Sequence, residues 1–140
     1  MPHCIVEYTD NLASDGDIPK LLQELAGKFR SRGDVFPVGG LRIRAIRLTE
    51  FVLADGLGDD AFVNVTVKIG PGRPLEFRKQ FFAEMFEIVQ EHFAELFARR
   101  PLALSLYVEE ADKDGSFKAN SIHRRLKSAP GGQPGMAAEK

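Results

Sequence analysis

Residues 61–108 read AFVNVTVKIG PGRPLEFRKQ FFAEMFEIVQ EHFAELFARR PLALSLYV. The stretch changes its hydrophobic period twice. Ala61, Val63, Val65, Val67 and Ile69 fall on alternate positions, which predicts a strand with one buried face. Gly70-Pro71-Gly72 breaks that run, and Pro74 stands where a helix can begin. Leu75, Phe82, Met85, Phe86, Val89, Phe93, Leu96 and Phe97 then recur at three- and four-residue steps, predicting one continuous helix up to Arg99. Pro101 ends it. Leu102, Leu104, Leu106 and Val108 alternate again as a strand. Strand, helix, strand is a β-α-β unit.

The first half of the chain follows the same order. His3 to Tyr8 is short and partly β-branched and reads as a strand that anchors the N-terminus in a sheet. Asp17 stands at the expected N-cap of a helix, with Pro19 in its first turn. Ile18, Leu21, Leu22, Leu25 and Phe29 share one face of that helix, and Gly33 stops it. Leu41 to Leu48 is the second strand, in which Leu41 and Ile43 point one way and Arg42 and Arg44 the other. Asp55 to Asp60 is a Gly/Asp loop. The expected fold is α+β: two β-α-β units forming a four-stranded sheet with two helices on one face. The other sheet face then needs a cover, and a symmetric oligomer is the simplest one. The segment after Gly115 reads as short and irregular. Residues 1–127 are expected to form the domain, and the Gly-, Pro- and Ala-rich residues 128–140 a disordered tail.

Composition narrows the function. The 140 residues carry 19 basic and 20 acidic side chains, a net charge of -1, so binding nucleic acid through bulk positive charge is not expected. A single cysteine, Cys4, allows no internal disulfide and no cysteine zinc cluster. Its strand is expected to bury it as an inert core thiol. No run is long and apolar enough to predict a membrane span, no secretory signal is evident, and a cytoplasmic protein is expected. His3, His92 and His123 lack metal-ligand spacing, and His92, beside the helical stripe, reads as structural.

Two features could carry chemistry. Removal of Met1 would leave Pro2 with a free secondary amine at the head of a strand. An α-amino group titrates near pH 8, and burial or neighbouring cations lower that value, so the amine could serve as a general base. Arg42 and Arg44 project from one strand face, and Arg73 follows Gly70-Pro71-Gly72 at the mouth of the long helix. Forked guanidinium donors at such places suit a small anionic substrate. On local grounds Lys118 and Asn120 have no assigned role.

Met1-Pro2-His3-Cys4-Ile5-Val6-Glu7 followed by Thr9-Asp10-Asn11 resembles the N-terminus of the 5-carboxymethyl-2-hydroxymuconate isomerases, members of the tautomerase superfamily. The resemblance continues through residues 36–45, Ala54-Asp55-Gly56, Ala61-Phe62-Val63 and Lys68-Ile69-Gly70-Pro71-Gly72-Arg73, and ends in Leu102-Ala103-Leu104-Ser105 and Phe117-Lys118-Ala119-Asn120-Ser121-Ile122-His123. It spans residues 2 to 127 in order. It implies a cofactor-free, metal-free isomerase that shifts a C=C bond, built as a homotrimer. It further implies conversion of 5-carboxymethyl-2-hydroxymuconate to its 2-oxo isomer in homoprotocatechuate (4-hydroxyphenylacetate) breakdown. By that resemblance Pro2 is the base, Arg73 and Arg42 are catalytic cations, and Arg42, Arg44, Arg73, Lys118 and Asn120 bind substrate. Two other readings stand beside it. One is a related tautomerase acting on another 2-hydroxymuconate or keto-enol acid. The other is a non-catalytic trimeric binding module that retains Met1.

Overall fold

A computed structural model describes residues 1–128. Strands β1 (His3–Thr9), β2 (Arg42–Leu48), β3 (Ala61–Ile69) and β4 (Leu102–Glu110) form one sheet in the order β2-β1-β3-β4. β1 and β2 run parallel, as do β3 and β4, whereas β1 and β3 are antiparallel. Each parallel pair is joined by a helix, α1 (Ile18–Arg30) in the first unit and α2 (Leu75–His92) with α3 (Ala94–Arg99) in the second. The expected pair of β-α-β units is therefore present, and β1 lies at the centre of the sheet.

The alternating apolar positions settle which face is covered. Cys4 and Val6 of β1 and Ala61, Val63, Val65, Val67 and Ile69 of β3 are buried beneath Leu21, Leu25 and Phe29 of α1 and Phe81, Phe82, Met85 and Val89 of α2. Register places His3 between Arg42 and Lys68 on the opposite face, and Ile5 between Arg44 and Thr66. At one end of the core an aromatic cluster fixes the loop between α1 and β2. Phe36 meets Phe29 edge-on at 5.1 Å and Phe81 at 5.0 Å. Such packing of rings holds the chain leading to β2 at a fixed height above the sheet.

Five local expectations are corrected. Asp17 adopts a left-handed backbone (φ 45) and its side chain caps nothing, so α1 starts without the expected Asx cap. The long helix is interrupted at Phe93 (φ -99, ψ 8), although Phe93 and Leu96 remain buried. Side-chain periodicity continues across the break and so could not reveal it. Leu75 and Phe97, at the two ends of the predicted stripe, are exposed. The segment expected to be irregular contains α4 (Ile122–Ser128), whose seven residues are too few for periodicity to register. α4 takes in the first residue of the expected tail, and residues 129–140 lie outside the described part.

Candidate active site

The site grows from the head of β1. Pro2 is buried, and its carbonyl accepts the backbone N–H of Arg42 at 3.2 Å, the first rung between β1 and β2. Met1 folds over it. A side chain at Gly40 would press on Met1, so the glycine of the 3-10 turn Val38–Gly40 lets the terminus lie close. Arg42 Nη2 reaches the Met1 sulfur at 3.3 Å, and Asn120 Nδ2 lies 3.5 Å from the same atom. A cavity of about 410 Å³ opens there, lined among others by Met1, His3, Arg42, Lys68, Phe117 and Lys118. Two strands and the segment after β4 thus converge on the N-terminus.

The cavity wall is cationic. Burial, then Arg42, Arg44, the N-terminal amino group and Lys68 hold the His3 imidazole below its usual pKa of about 6.5. Lys118 adds charge from the other side. Arg42 Nη1 is shielded from solvent and has no hydrogen-bond partner among the described residues. A thioether is a weak acceptor, so the contact of Nη2 with Met1 satisfies little of the guanidinium. Buried donors left in this state favour an incoming anion.

Of the residues singled out in the sequence, Arg42 and Lys118 line the cavity and Pro2 lies directly behind Met1. Arg44, Arg73 and Asn120 do not line it. Arg44 is exposed, and its Nη1 lies 3.1 Å from His3 Nδ1. Arg73 was expected to grip a carboxylate. Its Nη1 instead donates to the carbonyl of Gly70 (3.1 Å), its Nη2 to that of Val35 (3.2 Å), and its Cζ lies 4.5 Å above the Phe36 ring. Asn120 donates from Nδ2 to the Gly39 carbonyl at 2.8 Å and accepts the Ile122 N–H at 2.8 Å, tying the start of α4 to the glycine turn. Sequence reasoning missed His3 and Lys68, which come level with Arg42 only through strand register, and Phe117, which is 91% exposed.

Cys4 and His92 are structural, as expected. Burial pushes the Cys4 thiol up to about 12. The side chain of His92 is buried, with Nδ1 at 2.7 Å from Glu24 Oε1 and Nε2 at 2.7 Å from the Gly16 carbonyl. Among the described residues no cluster of three or more His, Cys, Asp or Glu side chains could hold a metal ion. No described helix is long and apolar enough to cross a membrane.

Paired β-α-β units with a proline at the head of a central strand and a cationic cavity beside it define a tautomerase-type isomerase. Comparison with known proteins narrows the class. The chain belongs to the 5-carboxymethyl-2-hydroxymuconate isomerase family, whose profile matches residues 2–126. It is 40% identical over 127 residues to the 5-carboxymethyl-2-hydroxymuconate Delta-isomerase of Escherichia coli, covering 91% of this chain and all of that one. The crystal structure of a 5-carboxymethyl-2-hydroxymuconate isomerase from Deinococcus radiodurans R1 superposes with a TM-score of 0.84 at 46% identity, over 89% of this chain and 92% of the other. A more distant structure, a fused wild-type 4-OT symmetric trimer, shares the fold at a TM-score of 0.59 and 15% identity over 98% of both chains.

Proposed function

We propose that this isomerase converts 5-carboxymethyl-2-hydroxymuconate to its 2-oxo isomer, with the nitrogen of Pro2 as base after Met1 has been removed. The 2-hydroxyl proton passes to Pro2 N, the electron pair spreads over a dienolate, and the proton returns at carbon 5. Atoms and charge balance without a cofactor. Substrate of this class carries three carboxylates, and the relative that is 40% identical is named for action on it. Arg42, Arg44 and Lys68, which after burial lower the His3 pKa, would favour the uncharged form of the Pro2 amine as well.

Arg42 carries this reading. It is the cation nearest the terminus in the strand ladder, and its Nη1 is a buried donor with no described partner. Loss of Met1 would remove the sulfur from Nη2 and open both donors to a carboxylate or to the dienolate oxygen. A fixed guanidinium in a partly dry site stabilises developing negative charge most. Lys118, across the cavity, would hold a second carboxylate. Arg73 and Asn120 take a different part, as braces for the loops that wall the cavity. A homotrimer would cover the open sheet face, and the breakdown of homoprotocatechuate would supply the substrate.

Two measurements test the reading. Mass spectrometry of the purified chain is expected to show loss of Met1. Ultraviolet absorbance of the dienol is then expected to decay on adding the protein. Full retention of Met1 with no decay would leave the non-catalytic binding module as the better reading. Decay of other keto-enol acids, but not of the tricarboxylate, would assign a different substrate to the same base.

A further inference from the structure

His3 stands one residue beyond the proposed base, lines the same cavity and has no assigned role. Its Nδ1 lies 3.1 Å from Arg44 Nη1. A guanidinium has donors only, so Nδ1 must be the acceptor of that bond. The ring proton of the neutral imidazole is thereby confined to Nε2. Charged groups face the ring from each neighbouring element: Arg42 and Arg44 from β2, Lys68 from β3, with Lys68 itself 3.9 Å from Glu109 of β4. Lys118 lines the same cavity from the segment after β4. Burial, and after it the cationic excess, opposes a second proton on the ring, which agrees with the lowered pKa.

We propose that His3 contacts substrate as a neutral donor, its Nε2–H aimed at an anionic oxygen of the bound enol acid, and that Arg44 is the positioning residue that fixes this tautomer. The role rests on the function proposed above and deepens it. A neutral donor stabilises charge as it develops on the dienolate without adding another cation to the wall. No net proton passes through His3; the hydrogen bond strengthens as the 2-hydroxyl proton leaves for Pro2 and weakens as it returns to carbon.

The test pairs kinetics with nitrogen NMR of the imidazole in the processed protein. At pH 7 the wild type is expected to show the neutral Nε2–H form, and the tricarboxylate is expected to shift that proton. His3→Phe is expected to lower kcat by about 10²-fold, the usual worth of one donor to a developing oxyanion. His3→Gln, which keeps an N–H at similar reach, is expected to restore most of it with little change in KM. Arg44→Met is expected to give a mixture of tautomers. An imidazolium or an Nδ1–H ring at pH 7 in the wild type overturns the proposal. So does a His3→Phe enzyme within twofold of wild type while Pro2→Ala is inactive. Absence of any turnover by the wild type counts against the proposed function instead, and the NMR titration still reports whether His3 meets the carboxylate.

Discussion

At the scale of single residues, the chemistry depends on what surrounds a group more than on its type. The proposed base and a thiol sit two positions apart at the head of β1. Pro2 heads the strand under a removable residue and beside fixed cations, whereas Cys4 points into the core and its thiol is pushed up to about 12. Pro2→Ala is expected to lower kcat by about 10²-fold or more in the dienol assay; near-normal turnover would remove Pro2 from the mechanism. Cys4 is expected to resist thiol reagents until the protein unfolds. Its folded pKa lies above the ordinary value of 9.0, so the unfolded chain releases this proton first. Stability should therefore decline as pH rises from about 9 toward 12, and Cys4→Ala should lessen that decline in denaturant titrations.

Elements enter through the loops they hold. The 3-10 turn Val38–Gly40 is wedged between Met1 and α4, and a side chain on Gly39 would overlap the His123 ring. Gly39→Ala is expected to destabilise the fold by about 1–3 kcal/mol, the usual cost of overpacking, and His123→Ala in the same chain should recover part of it. A full, additive loss in the double variant would show that α4 does not press on the turn. Arg73 binds the loops before β2 and before α2 to one another across Phe36. Arg73→Met is therefore expected to lower the melting temperature along with kcat, and activity loss at unchanged stability would return Arg73 to the substrate. The position of Arg73 at the mouth of α2 was legible in the sequence. The direction of its side chain was not, because the carbonyls of Val35 and Gly70 that receive it come from residues far apart along the chain or from a break whose backbone path periodicity does not describe.

At the scale of the whole molecule, no helix of the described residues covers one face of the sheet. Tyr107 is 64% and Ile46 45% exposed there, beside a polar chain in which Ser105 donates to Asn64 at 2.7 Å and Asn64 to Thr66 at 3.1 Å. Light scattering at low protein concentration is expected to give the mass of a trimer, and Tyr107→Asp to shift it toward monomer; a stable wild-type monomer contradicts the cover. What the sequence determined by itself was the order of the four strands and of the helices joining each parallel pair, the buried faces of α1 and β3, and the proline at the head of β1. Those depend on periods of 2 and 3.6 residues and on breakers such as Gly70-Pro71-Gly72, which are local properties of the chain. The tertiary structure alone decided that β1 lies between β2 and β3, bringing His3 level with Arg42 and Lys68, that Arg44 reaches the His3 ring without lining the cavity, and that Arg73 turns to the carbonyls of Gly70 and Val35. Strand order and side-chain direction are set by packing between distant segments, where burial and hydrogen bonding outweigh the preferences of any one stretch.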